Sequence, residues 1–155
     1  MVASPNSLEG CNASDPGLFL DPNDGRLWLV YGSYFGYIRL VEFNPKTGKG
    51  LNPKEPPRNI ATDCGASVMV YRDGWYCPLA TRGSGCRGAD SGYSIRVGRA
   101  KRVVGSFLDD LGLDTLKGGG KLFQGSGGRV IGTSLFGLLD FGDGVQKFSM
   151  PGIDR

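Results

Sequence analysis

The sequence predicts an all-β protein, and three observations support this fold class. Glycine accounts for 27 of the 155 residues, more than twice the usual share of about 7%, so tight turns are frequent. Short apolar runs of strand length alternate with turn residues along the chain. The segment 106–116 has the only helix-like pattern, and Gly112 interrupts it. A length of 155 residues fits one domain, which we assign to residues 1–155.

The first strands follow from apolar stretches that turn residues separate. The run 17–21 is short and apolar, and the turn signal Pro-Asn-Asp-Gly follows it at 22–25. Residues 26–33 and 37–43 are rich in aliphatic and aromatic side chains, so we expect them to pair as a hairpin. The polar stretch 44–57, rich in Pro and Gly, predicts a loop.

A second hairpin is predicted at 66–71 and 75–81, with Arg-Asp-Gly as its turn. Pro78 lies inside the second run, and we expect it to weaken a central strand because proline has no amide hydrogen to donate. A long Gly-rich loop at 82–92 leads to a further strand at 93–100. The remaining strand-like runs are 121–123, 129–132, 134–141 and 145–150.

The strands follow a weak internal repeat with a period of about 50 residues. Asp24-Gly25 introduces one strand, Asp73-Gly74 introduces another, and Gly127-Gly128 occurs a similar distance further on. The strand sequences at 38–41 and 95–98 resemble each other as well. Such a period is typical of propeller blades, with a β-sandwich as the alternative. We therefore expect a partial β-propeller of about 2.5–3 blades of antiparallel strands.

A partial propeller raises the question of how its ring is closed. Closure requires about 4–8 blades, more than this sequence supplies. The chain is then a piece of a larger propeller, or copies of it assemble into a ring, or the fold stays open. Open blades expose strand edges, which favour association. A homo-oligomer, such as a dimer that closes a propeller, is the partner that this reasoning predicts.

Composition excludes several kinds of chemistry. The sequence contains no histidine, which excludes a Ser-His-Asp triad, a Cys-His dyad and a His-ligated metal within it. The four cysteines (Cys11, Cys64, Cys77 and Cys86) have no zinc-ligand spacing. We expect no metal and no cofactor. The net charge of +3 is scattered along the sequence, which argues against a nucleic-acid partner, and no apolar run reaches the roughly 18 residues of a membrane span.

Several stretches carry the pattern of one enzyme family. The segment Asn12-Ala13-Ser14-Asp15-Pro16 and the strand-rich stretch 24–43 that follows it resemble the N-A-I-D-P segment and the next blade in family 43 of the glycoside hydrolases, which are five-bladed propellers. The most specific part is Cys-Arg-Gly-Ala-Asp-Ser at 86–91 with Tyr-Ser-Ile-Arg-Val at 93–97. Later blades of that family resemble the stretches 65–76, 83–100 and 118–132.

The resemblance implies an inverting hydrolase of α-L-arabinofuranosyl linkages in arabinan or arabinoxylan, with three carboxylates in a central funnel. Asp15 matches the aspartate that orients the general acid. Gly65 stands where the family has the general-acid glutamate. The general base belongs to a first blade that would lie upstream of residue 1. We expect a truncated member with impaired catalysis; the alternative is a non-catalytic sugar-binding or self-assembling module. The resemblance also implies a secreted or periplasmic protein.

Asp63 is a candidate substitute for the missing acid. It lies two residues before Gly65, and residues at i and i+2 of a strand point to the same face. We therefore expect Asp63 to approach the cleft from one pleat away. The alternative is an aspartate that caps a turn before the strand.

Four loop residues are candidates for substrate binding. Tyr34 and Phe35 lie in a turn, where exposed aromatic rings provide platforms for sugar rings. Arg87 and Asp90 lie in the Gly-rich loop, where their side chains are placed to bond sugar hydroxyls. The alternatives are a solvated arginine and an aspartate that bonds the local backbone. Two histidine positions of the family align here with Arg82 and Leu135.

Overall fold

The computed structural model describes residues 13–33, 36–85, 87–134, 136–140 and 145–154. Within these ranges the regular structure is β-strand, with two short 3-10 turns at Gly88–Asp90 and Thr115–Lys117. The strands are β1 (Gly17–Leu20), β2 (Leu27–Tyr31), β3 (Tyr37–Asn44), β4 (Lys49–Gly50), β5 (Arg58–Thr62), β6 (Cys64–Arg72), β7 (Trp75–Arg82), β8 (Ser94–Val97), β9 (Lys121–Gln124), β10 (Val130–Ile131), β11 (Gly137–Asp140), β12 (Gln146–Ser149) and β13 (Ile153–Asp154).

Two antiparallel sheets contain most of these strands. Sheet A has the order β1-β2-β3-β4, with β5 also paired to β3, and sheet B has the order β6-β7-β8-β9. Two smaller pairs follow, β11 with β12 and β10 with β13. The described chain therefore forms two meandering units of four or five strands and the beginning of a third.

The two sheets pack together through their first strands, β1 and β6. Phe19, Val30 and Ile38 of sheet A share one core with Met69 of sheet B. The backbones approach closely: a Cβ on Gly17 would lie 2.7 Å from the carbonyl oxygen of Ser67. Glycine at this position therefore sets the contact between β1 and β6.

The two sheets repeat one arrangement, as the sequence period predicts. Asp24-Gly25 joins the first two strands of sheet A, and Asp73-Gly74 joins the first two of sheet B. Asp73 and Gly74 both have left-handed backbones, with φ of 50° and 77°, which is the geometry of a type I′ hairpin turn. Gly127-Gly128 instead lies between β9 and β10. The fold is a partial propeller with two complete blades, and not a sandwich.

The helix-like pattern at 106–116, which Gly112 interrupts, forms no α-helix. The chain there forms turns, because Oδ1 of Asp109 accepts hydrogen bonds at 2.9 Å from the amides of Leu111 and Leu113. A side chain that takes these amides competes with helical hydrogen bonds. These amide bonds, and that from Gly120 above all, lower the pKa of Asp109. Three strands were also not predicted: β4 falls in the predicted loop, β5 lies between that loop and the second predicted hairpin, and β13 follows the last predicted run.

Pro78 lies in the central strand β7, between β6 and β8. Contrary to the prediction, it does not weaken this strand. Its carbonyl accepts a hydrogen bond from the amide of Gly98, the residue after β8, at 3.3 Å. The nitrogen of Pro78 therefore also faces the β8 side of the strand, at a level where β8 has already ended. In an antiparallel ladder each residue directs both backbone groups to one neighbour. The missing amide hydrogen therefore removes no bond to β6.

A buried polar network also connects the two sheets. The Asp21 carboxylate is 1% exposed. Its Oδ1 accepts hydrogen bonds from the amide and the side chain of Asn23, and its Oδ2 accepts one from the Tyr76 hydroxyl at 2.8 Å. The Asn23 side chain also donates to that hydroxyl at 2.9 Å. The turn after β1 is thereby attached to β7.

Candidate functional site

A small cleft at the junction of the two sheets brings together residues that are distant in sequence. Asp15 precedes β1, Asp63 precedes β6, and Gly65 is the second residue of β6. The cleft has a volume of about 30 Å³, enough for one or two water molecules. Its lining residues are Asp15, Ser33, Asp63, Gly65, Ala66, Thr81, Gly83 and Tyr93.

The structure places Asp63 beside Gly65 by a different route from the one predicted. Asp63 is not part of a strand; it is the single residue between β5 and β6, with a left-handed φ of 53°. The same-face argument for positions i and i+2 is therefore wrong here. The sharp bend between the sheets, and not the pleat of one strand, directs Asp63 to the cleft.

The backbone around the cleft is unusual. Asp15, Asp63 and Ala66 all have positive φ (51°, 53° and 35°). Such values are costly for residues with a Cβ, and aspartate tolerates them better than alanine. Ala66 is the extra residue of a bulge in β6, since Gly65 pairs with Thr81 and Ser67 pairs with Ala80. Bulges and strained residues are enriched beside active sites.

An open groove of about 350 Å³ adjoins the cleft, a size typical of ligand sites. The two share Asp63 and Gly83, and the groove adds Arg82 and Ser84. The Arg82 guanidinium donates to the carbonyl of Gly118, which fixes its direction. Within the described part of the chain, neither Asp15 nor Asp63 has a side-chain hydrogen bond or ion pair. Both carboxylates are therefore available to a ligand.

The remaining candidates do not line this cleft. Asp90 belongs to the 3-10 turn Gly88–Asp90 and lines a separate groove of about 380 Å³. Arg87 is exposed at the start of that turn. Tyr34 and Phe35 lie outside the described residues, as does Leu135. Binding by these residues stays a prediction.

Tyr93, Ser33 and Thr81 line the cleft and were not predicted. Tyr93 is the aromatic residue that the structure places there. In the sequence, Tyr93 is the first residue of the predicted strand 93–100. A position at the start of a strand does not indicate that the side chain faces a ligand. Only the fold of the Gly-rich loop before it, where the amide of Gly92 donates a hydrogen bond to the carbonyl of Ser84 at 3.0 Å, brings Tyr93 to the cleft.

Cys64 follows Asp63 and is buried. Burial raises the pKa of the Cys64 thiol to about 11, so the residue is a neutral packing group at physiological pH. Cys77 is also a free thiol, and burial raises its pKa as well. In the described part of the chain, no group of three Cys, Asp or Glu residues is arranged to hold a metal ion.

The sequence is similar to that of known arabinan-degrading enzymes. It is 31% identical over 141 residues to extracellular endo-α-(1→5)-L-arabinanase 1 of Bacillus subtilis, covering 84% of this chain and 43% of the relative. It is 37% identical over 138 residues to arabinanase 2 of the same organism, covering 84% of this chain and 29% of the relative. No family model matches the sequence.

Solved structures of arabinanases are also similar to the fold of this chain. The α-L-arabinanase of Cellvibrio cellulosa superposes with a TM-score of 0.85 at 27% identity, covering 98% of this chain and 51% of that one. The GH43 endo-arabinanase of Bacillus licheniformis gives 0.77 at 30% identity, covering 92% and 53%. The chain thus spans about half the length of these structures. None of its described helices is long and apolar enough to cross a membrane.

Proposed function

Because the chain is homologous to the arabinanases of glycoside hydrolase family 43 over part of their length, we propose that it binds α-1,5-linked arabinan and hydrolyses it poorly. The observation that carries the proposal is the meeting of Asp15 and Asp63 at one cleft beside Gly65. Two carboxylates that have no side-chain hydrogen bond or ion pair among the described residues are strong acceptors for the hydroxyl groups of a sugar.

Weak hydrolysis follows from what the cleft lacks. Inverting hydrolysis requires an acid that protonates the leaving oxygen and a base that activates water. Gly65 has no proton to donate. Losing a positioned general acid typically costs about 10²–10⁴-fold in rate. Asp63 is the remaining carboxyl group beside that position, and we assign it the residual acid role.

The test combines binding and turnover with arabinohexaose and linear arabinan. Asp15→Asn and Asp63→Asn remove a charge and keep a residue that tolerates positive φ. Asp73→Asn is the matched control, because Asp73 has a φ of 50° in a turn at the other end of β6. We expect the first two variants to weaken arabinohexaose binding by about 10–100-fold, the value of one or two charged hydrogen bonds, and the control to leave it unchanged.

Hydrolysis is measured on the same samples as released reducing ends. Slow turnover that Asp63→Asn abolishes supports the assigned acid role, and Gly65→Glu is expected to raise the rate. A sample with a β-sheet circular dichroism spectrum that binds no arabinohexaose overturns the proposal. So does binding that Asp73→Asn weakens as much as Asp15→Asn.

We also propose that the protein acts outside the cell and that copies associate. The relatives from Bacillus subtilis are extracellular by name. Association is supported by Leu18 and Leu20 of β1, which are 69% and 62% exposed and lie on the face of sheet A turned away from sheet B. Light scattering tests it: a species of 16.5 kDa at all concentrations contradicts association, and Leu18→Lys with Leu20→Lys should dissociate a larger one.

A further inference from the structure

Four exposed cations lie together at the end of sheet B that is remote from the cleft. We call this group the basic patch; its members are Arg72, Arg99, Lys101 and Arg102, the last of which is included because it directly follows Lys101 in the chain. Arg72 ends β6, whereas the cleft lies at the start of that strand. Eight residues at about 3.3 Å each separate the two ends by about 26 Å. The patch is therefore independent of the cleft.

Strand pairing assembles the patch around one indole ring. Arg72 pairs with Trp75 across the hairpin turn, and a bridge between Tyr76 and Ala100 brings the next segment alongside. The Arg99 guanidinium carbon lies 4.6 Å from the centre of the Trp75 ring, and Nζ of Lys101 lies 3.6 Å from it.

Additional contacts hold these cations in place. Nζ of Lys101 donates a hydrogen bond to the carbonyl of Gly74 at 3.2 Å. Cations over an aromatic face are favourably placed. Arg99 and Lys101 therefore have defined positions, unlike most surface cations.

The basic patch has an excess of positive charge. Among the described residues, Asp73 is the only acid that forms an ion pair with it, 3.7 Å from Arg72 and largely exposed. Four cations and one paired carboxylate give these residues a net charge of +3. Concentrating like charges at one place is unfavourable unless an anion compensates them.

We propose that the basic patch binds an acidic polysaccharide, a chain of sugars that carry carboxylates. Arginine pairs with carboxylates through two parallel hydrogen bonds, and the patch offers three arginines. Two cations already contact the Trp75 ring, so nucleic-acid bases would compete with them for stacking on it. The choice of a polysaccharide as the acidic partner rests on the proposed function. The charge and geometry of the patch are observations that do not depend on that function.

The experiment measures binding to immobilised polygalacturonate at about 0.02 M and about 0.2 M salt, since screening weakens exposed charge pairs. The test variant is Arg99→Gln with Lys101→Gln and Arg102→Gln. The matched control is Lys46→Gln with Lys49→Gln and Lys54→Gln, which removes the same charge from exposed positions in another part of the surface. We expect at least a tenfold loss of affinity in the test variant and less than a twofold loss in the control.

A second variant guards against loss of structure. Arg72→Gln with Arg102→Gln leaves the Trp75 contacts intact and should lower the affinity at least about threefold. Equal losses in the test variant and the control, no binding at low salt, or equal affinity for duplex DNA would each overturn the proposal. Arabinohexaose binding should be the same in all patch variants, so this inference and the proposed function fail separately.

Discussion

Removing the Tyr76 hydroxyl should measure the network that joins the two sheets. The Tyr76→Phe variant keeps the ring, which packs edge-on against Phe19 at 6.1 Å and in a tilted arrangement against Tyr71 at 4.8 Å. It loses the 2.8 Å hydrogen bond to Asp21 and the 2.9 Å bond from Asn23. A hydrogen bond to a charged group contributes about 1.5–3 kcal/mol, and the Asp21 carboxylate stays buried with one donor fewer.

We therefore expect Tyr76→Phe to lower the free energy of unfolding by about 2–3 kcal/mol, or the Tm by about 4–12 °C for a chain of this size. Urea titration followed by circular dichroism gives the value. Tyr71→Phe is the matched control, since it removes a hydroxyl from the neighbouring ring, and it should change stability by less than about 0.5 kcal/mol. Equal stability of Tyr76→Phe and the unmodified protein would refute the reasoning. A double-mutant cycle with Asp21→Asn should show coupling of about 1–2 kcal/mol.

Two further predictions concern packing and pH. Gly17→Ala should cost about 2 kcal/mol or more in unfolding free energy, because its Cβ would lie 2.7 Å from the Ser67 carbonyl. Gly50→Ala, which meets no atom within 4 Å, should cost under about 0.5 kcal/mol; equal costs in the two urea titrations would contradict this. Burial raises the pKa of Cys64 from 9.0 to about 11, so its contribution to stability is complete below pH 9 and is lost as the pH rises toward 11. Between about pH 8 and pH 11 the unmodified protein should lose about 2 kcal/mol more than Cys64→Ala, and parallel stability curves would show the thiol to be irrelevant.

Local features of the sequence were sufficient for the hairpins. The type I′ turn at Asp73-Gly74 depends on two adjacent residues that tolerate positive φ, so the strands on either side were predicted within a few residues. The helix-like pattern at 106–116 gives no α-helix because the Asp109 side chain takes backbone amides that a helix needs. The effect of Pro78 on its strand was predicted wrongly, because a strand tolerates proline where no neighbour needs its amide hydrogen. Whether that is so depends on where the neighbouring strand β8 ends.

The sequence by itself determined the all-β class, the blade-like repeat, the absence of imidazole chemistry and the replacement of a possible acid by Gly65. These properties depend on composition and on residues within one turn or strand. Only the tertiary structure brought Asp15 to Asp63, buried Asp21 under Tyr76 and collected Arg72 with Arg99 and Lys101. Each of these groups joins residues more than twenty positions apart. Their proximity depends on how β1 packs on β6 and how β7 pairs with the segment after β8, and no short stretch of sequence encodes either.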